Sequence, residues 1–449
     1  MRLAWRRLAL AAAIGFAACD SRPPSDWNVV WVVLDAAGAS HFGIYGNKLP
    51  TTPNIDALAA DATVFDRAYS QAAWTPASTA SFLTGKYPRG SMYGVGLPEV
   101  VSGQGLASLL AREGLRTAGF SENPYVTRKF GFADGFEVFN EYFPYQLIED
   151  KPLDYSRTDS ARTVREAIAW IQTQGADPFF LYLHLLPPHS PYDPPAPFAG
   201  AFDPDYAGSV QGSARTLVEI NRGELAISSR DLIHLRLQYQ ENLAFGDHQV
   251  GLLLDALREL RIRDRTLIVI SADHGEAFRE HGLMLHNQTL FQEMIHVPLI
   301  IRFPPALGEL PARWPGAVEL RQIYATVCEV LGVRRCDRDA SGLLSILREA
   351  DPDDAVALAF STNRKGTPIA AAVSGRYKLI TRYPRLRPIA LFDLEADPRE
   401  KRSIAASHRG VVDRLLGSLR EPGRQEVEIV PGDLDPATKR RLRALGYVD

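Results

Sequence analysis

Cysteine is nearly missing from these 449 residues: the three present, Cys19, Cys328 and Cys336, are too few to staple a disulfide scaffold. Excess charge is missing too. Lys and Arg number 50 against 53 Asp and Glu, a net charge of −3. With the two signs mixed along the chain, no basic surface is presented and nucleic acid is not an expected partner. No internal repeat or low-complexity tract stands out, which sets aside solenoids and biased linkers. The apolar stretch at residues 8–18 is too short to span a bilayer as a permanent helix. What remains is a chain long enough to bury a large core, in one big domain with a smaller attachment.

Residues 8–18 follow a cationic start, Met1-Arg2-Leu3-Ala4-Trp5-Arg6-Arg7, and read as an export signal. The stretch ends in Phe16-Ala17-Ala18-Cys19-Asp20, which resembles a bacterial lipoprotein box: Cys19 would be lipidated and become the new N-terminus. Asp20 directly after it resembles the signal for staying at the inner membrane. The alternative is a cleaved secretory signal with an incidental Cys; the surroundings of Arg6-Arg7 fit twin-arginine export poorly. The expectation is therefore a membrane-anchored lipoprotein of the bacterial periplasm, with residues 1–19 as signal and 20–27 as tether. In that oxidising compartment Cys328 and Cys336 could pair. Cys328 lies in an apolar helical stretch, residues 323–331, where buried packing would serve equally well.

After the tether, short apolar runs alternate with helical patterns, the signature of a mostly parallel sheet covered on both faces. Strands are predicted at residues 29–34, 117–120, 179–184, 266–271 and 297–301, and helices at 54–60, 105–113, 160–173 and 231–260. From about residue 355 the texture changes to short β-like pieces, at 369–373, 377–382 and 390–394, followed by a helical tail. The predicted fold is thus α/β, a three-layer αβα body over residues 28–354 with a small α+β subdomain over 355–449.

In open α/β sheets ligands gather outside the carboxyl ends of the strands. Asp35, His184 and the pair Asp273-His274 all stand at such ends. An unpaired carboxylate there would be costly to bury, and a metal ion removes the cost. The stretch Trp74-Thr75-Pro76-Ala77-Ser78-Thr79-Ala80-Ser81-Phe82-Leu83-Thr84-Gly85 adds a hydroxyl where a loop turns into a helix. With the helix starting near Ala77, its free N–H groups and dipole favour an ionised Thr75 hydroxyl at an anionic ester. The alternative is that Thr75 or Ser78 merely caps the helix. Asp35, Thr75, Asp273 and His274 form the predicted ligand set for one divalent ion, and two carboxylates, an imidazole and an alkoxide suit Zn²⁺ or Mn²⁺ better than Ca²⁺ or Mg²⁺.

The chain resembles the sulfatase branch of the alkaline phosphatase superfamily. The resemblance rests on residues 28–35 and His41-Phe42-Gly43-Ile44-Tyr45-Gly46, on Thr51-Thr52-Pro53-Asn54, and on the Thr75–Gly85 block. It continues through Pro188-His189-Ser190-Pro191-Tyr192, Ser271-Ala272-Asp273-His274-Gly275-Glu276, His296-Val297-Pro298-Leu299 and Leu442-Arg443-Ala444-Leu445-Gly446-Tyr447. It implies an alkaline-phosphatase-like fold and a metal-dependent attack on sulfate or phosphate esters by Thr75. It also implies that His189 and His286 bind substrate or protonate the leaving group, with Lys378 a further substrate-binding candidate and His184 and His281 weaker ones.

Two departures stand out. Strict sulfatases carry Cys or Ser, converted to formylglycine, where this chain has Thr75, and Arg where it has Thr79. The run Asp35-Ala36-Ala37-Gly38-Ala39-Ser40-His41 lacks the second Asp and the Arg that relatives place there. Three readings follow. One is a periplasmic hydrolase of a sulfated or phosphorylated small molecule, glycan or lipid. Another is a phosphoethanolamine- or phosphoglycerol-type transferase acting on envelope lipid or glycan. The last is a non-catalytic binding protein on the same fold.

Overall fold

The computed structural model describes residues 26–88, 97–99, 105–142, 159–334, 336, 340–363, 365–420, 426–427 and 430–432. Cys19, the signal, most of the tether and the Leu442–Tyr447 motif lie outside the described residues. No helix among the described residues is long and apolar enough to cross a membrane.

A nine-stranded sheet carries the body, in the order His296–Val297, Thr63–Tyr69, Leu299–Arg302, Thr266–Ala272, Asn28–Leu34, Phe179–Leu185, Arg116–Ser121, Val138–Glu141, with Arg313–Glu319 also pairing Thr63–Tyr69. The central strand Asn28–Leu34, of sequence NVVWVVL, is buried at every residue, as expected of a strand covered on both faces. It runs parallel to both neighbours, Thr266–Ala272 and Phe179–Leu185. The sheet is mostly parallel, and antiparallel where Leu299–Arg302 and His296–Val297 join it. The strand expected at 297–301 is divided at Pro298, which has no N–H to give the ladder.

The helix expected at 231–260 spans Ser229–Glu259 and begins at a capping box, Ser228 and Asp231 satisfying each other's backbone N–H groups. Beyond the body, Val356–Thr362, Pro368–Ser374, Tyr377–Arg382 and Arg387–Asp393 form a separate antiparallel sheet. Its residues alternate in period two. Leu358, Ala370, Leu379 and Leu391 pack under Leu415 and Leu416 of the helix Arg409–Arg420, while Ala359, Ala371, Ile380 and Phe392 face Tyr69, Leu290 and Met294 of the body. Cys328 and Cys336 form a disulfide.

Candidate active site

Register places the two acids. Leu34 pairs with Ala272 in parallel neighbours, so Asp35 and Asp273, each the next residue, leave the sheet side by side. Asp273 Oδ1 accepts the N–H groups of Ala36 at 3.0 Å and His274 at 2.9 Å. Asp35 Oδ2 accepts from Asn123 Nδ2 and from His184 Nε2, the latter at 3.2 Å. Each carboxylate is therefore anchored by one oxygen. The other oxygen of each, Asp35 Oδ1 and Asp273 Oδ2, is buried with no hydrogen-bond partner among the described residues. Two half-satisfied carboxylates at 0% exposure are costly unless a cation meets them, and the site fits a divalent ion on that ground. Burial works against ionisation of Asp35, but the neighbouring imidazoles of His189, His184 and His274, with the His184 hydrogen bond, outweigh it and hold the carboxyl well below its ordinary range.

Thr75 is the first residue of the helix Thr75–Thr84, two residues earlier than expected, and Trp74 rather than Ser78 holds the N-cap position. Ser78, one turn on, donates instead to the Asp273 carbonyl at 2.6 Å. Because residues three apart share a helix face, that bond turns Thr75 toward the same loop. Gly85 ends the helix at φ +74°, and a Cβ there would press on the Tyr324 ring at 3.0 Å.

His274 completes the junction. Its Nδ1 lies 2.9 Å from the Gly275 carbonyl oxygen, which can only accept, so Nδ1 carries the proton and Nε2 presents a lone pair. Thr75 Oγ1 stands 3.1 Å from that Nε2 and donates to it, and Asp273 Oδ2 lies 3.4 Å from the same atom. Gly275 is required by close approach: a Cβ there would sit 2.1 Å from the Glu293 carbonyl oxygen. Asp35, Thr75, Asp273 and His274 thus stand together at the ends of the strands.

His184 also belongs to the cluster, since ligand atoms of Asp35, His184 and Asp273 lie within 4.8 Å of one another. Its Nε2 is 3.2 Å from an Asp35 oxygen and its Nδ1 2.8 Å from the Tyr182 hydroxyl. A hydroxyl can give or take, but the carboxylate can only take, so Nε2 is protonated and His184 supports Asp35 rather than ligating. Burial lowers the His184 pKa, and the bond and charge of Asp35 more than restore it. Asn123 was not foreseen. Its amide is fixed by Tyr125 N–H donating to Oδ1 at 2.7 Å, which leaves Nδ2 for Asp35.

His189 and His286 are brought to the same place: the His286 ring centroid lies 4.4 Å from that of His274 and 5.1 Å from that of His189. Nδ1 of His189 meets the Ser190 carbonyl at 2.6 Å, and Nδ1 of His286 meets Glu276 Oε1 at 3.2 Å. Burial pushes both imidazoles below their ordinary range. It pushes Glu276 up to about 7, against the charges of His189 and His274.

Two sequence candidates stand elsewhere. Lys378 Nζ is buried 2.8 Å from Glu400 Oε1, and His281 is held between Glu293 Oε1 at 2.7 Å and the Glu400 carbonyl at 3.2 Å. No contact among the described residues joins either to Thr75.

Comparison with known proteins adds an independent finding. Residues 27–333 match the family model described as Sulfatase. The ulvan-active sulfatase of Formosa agariphila is 22% identical over 94% of this chain and 82% of that protein. Human iduronate 2-sulfatase is 25% identical over 69% of this chain and 66% of its own. The choline-sulfatase of Rhizobium meliloti is 28% identical over 45% of this chain, a match spanning 39% of that protein. Among solved structures, the phosphonate monoester hydrolase of Agrobacterium radiobacter shares the fold with a TM-score of 0.70 at 22% identity, covering 88% of this chain and 95% of the other.

Proposed function

This chain belongs to the sulfatase family, a family of ester hydrolases, and from that premise we propose that it cleaves sulfate or phosphate esters with Thr75 as nucleophile. One observation carries the reading: Thr75 Oγ1, at the start of a helix, lies 3.1 Å from the His274 Nε2 lone pair, in a junction where Asp35 and Asp273 each keep an unpartnered oxygen. Asp35, Asp273, His274 and Thr75 would hold a divalent cation, which would supply Lewis acidity and lower the proton affinity of the hydroxyl.

The residues do the rest. The positive end of the helix dipole lies at Thr75 and steadies an anionic ester there. Thr75 Oγ gives its proton to Nε2 of His286 or His189 and attacks sulfur or phosphorus, the new bond to Oγ forming as the bond to the alcohol oxygen breaks. His286, oriented by Glu276, or His189 gives that departing oxygen a proton. Water then cleaves the Thr75 ester, its proton passing through the imidazole to Thr75 Oγ as the inorganic anion is released. Threonine cannot become formylglycine, so turnover runs through this ester and not through an aldehyde hydrate.

Export to an oxidising periplasm is supported by the signal-like N-terminus and by the Cys328–Cys336 disulfide. Anchoring at Cys19 belongs to the same proposal.

Rapid quenching during turnover of para-nitrophenyl sulfate, para-nitrophenyl phosphate or phenyl phosphonate ester, followed by peptide mass spectrometry, tests the mechanism. The expected result is a sulfo or phospho group on Thr75. Turnover with the adduct on another residue would contradict it.

A further inference from the structure

His286 stands on a turn that its own sequence does not favour. Its neighbours Leu285 and Asn287 have φ of 65° and 88°. That left-handed region is disfavoured for a bulky residue such as Leu285, while Asn287 enters it more readily, and the leucine conformation persists where surrounding structure over-determines it. At the start of the turn the support is local, since Leu285 pairs with Ala277 in a short antiparallel ribbon.

The remaining support comes from the C-terminal sheet and the loop after it. Ser361 Oγ, in the strand Val356–Thr362, donates to the Asn287 carbonyl at 3.3 Å. Glu400 Oε2 accepts the Gln292 N–H at 2.6 Å. Lys378, in the strand Tyr377–Arg382, lies 2.8 Å from the other Glu400 oxygen and reaches Gln292 Oε1 at 3.4 Å. Both charged side chains are 0% exposed. A buried ion pair is a poor source of stability, because desolvation of two charges offsets their attraction and an apolar pair of similar volume often does as well. Its value lies in fixing geometry, and what it fixes here is the far end of the His286 turn.

We propose that Lys378, Glu400 and Ser361 are positioning residues for His286: the C-terminal sheet holds the turn 285–292 so that the imidazole stays against the His274 ring. This rests on the reading of His286 as a participant in ester cleavage.

The test is a double-mutant cycle on kcat with the full chain, using para-nitrophenyl sulfate or phosphate, whichever is turned over, with bound metal measured in every variant. Replacing the ion pair by an apolar one, Lys378→Met with Glu400→Leu, is expected to lower kcat about 10-fold through misplacement of a catalytic group while metal content stays unchanged. His286→Ala alone is expected to lose about 100-fold. On that background the apolar pair should cost less than about twofold, because its effect travels through the missing side chain. Equal losses with and without His286, or an unchanged kcat in the apolar pair, overturn the positioning role. Should His286→Ala itself leave kcat unchanged, the reading of His286 falls first. Asn287→Gly covers the case in which the pair variant does not fold. Glycine adopts that φ without strain, so the melting temperature should hold or rise while kcat falls about 5-fold through a looser turn. A held melting temperature with unchanged kcat overturns the proposal.

Discussion

Thr75→Val is expected to abolish ester hydrolysis, with kcat/KM falling by about 10⁴-fold or more, equivalent to ~5 kcal/mol of transition-state stabilisation. Valine keeps the branched shape in a fully buried position and removes only the hydroxyl. A loss of that size therefore reports chemistry and not packing. Thr75→Ser, which retains a hydroxyl at the first helical position, should keep activity within about 10-fold of the parent, the cost being rotamer freedom of an unbranched nucleophile. Steady-state rates on the para-nitrophenyl esters and a thermal melt of each variant settle the matter. Full activity in Thr75→Val would remove the nucleophile from the mechanism.

Asp273→Asn is expected to lower metal affinity by about 100-fold or more and to abolish turnover, while leaving the fold intact. The asparagine carbonyl still accepts the Ala36 and His274 N–H groups that Asp273 Oδ1 accepts now. What changes is the other position. The unpartnered Oδ2 becomes an NH₂ donor, facing His274 Nε2 where a cation would otherwise sit. The sign of the stability change is the distinctive part. In chelator the variant should melt higher than the parent, because a buried uncompensated charge has been removed; with metal restored, the parent should overtake it by mass action. Melting curves of both proteins, with and without chelator, check this. A variant less stable than the parent in both conditions would show that Asp273 serves the fold alone.

The chemistry of the site was legible in the sequence where a polar residue interrupts an apolar pattern. Asp35 ends a strand with six apolar residues in seven, and Asp273 closes another apolar run, so each stands out. Asn123 does not. It follows Ser121-Glu122 after a strand that itself carries Arg116, Thr117 and Gly119, so no single polar residue draws the eye. Several strands were missed, Val138–Glu141 and Val356–Thr362 among them, and two more for related reasons. Thr63–Tyr69 contains Asp66 and Arg67, and Asp66 is answered by Arg313 on the adjacent strand, a pairing distant in sequence. Arg313–Glu319 contains Pro315 and Gly316 and is bulged between Trp314 and Ala317. Lys378 illustrates the same limit. A lysine in an apolar strand signals a buried cation needing an anion, but whether that anion is a ligand or Glu400 depends on a fold that local pattern does not encode. Ser78 shows that hydroxyl placement in a Ser- and Thr-rich turn is fixed by the partner loop, here the Asp273 carbonyl, and not by capping preference.

The central claim, one cation shared by Thr75 and two strand-end acids, is tested most directly by anomalous diffraction from crystals grown with Mn²⁺ or Zn²⁺. The expected map has one strong peak about 2.0–2.6 Å from Asp35 Oδ1, Asp273 Oδ2, His274 Nε2 and Thr75 Oγ1. A peak bound to Asp35 and His184 with Thr75 outside its coordination shell, or no peak between Asp35 and Asp273 at saturating metal, would contradict it.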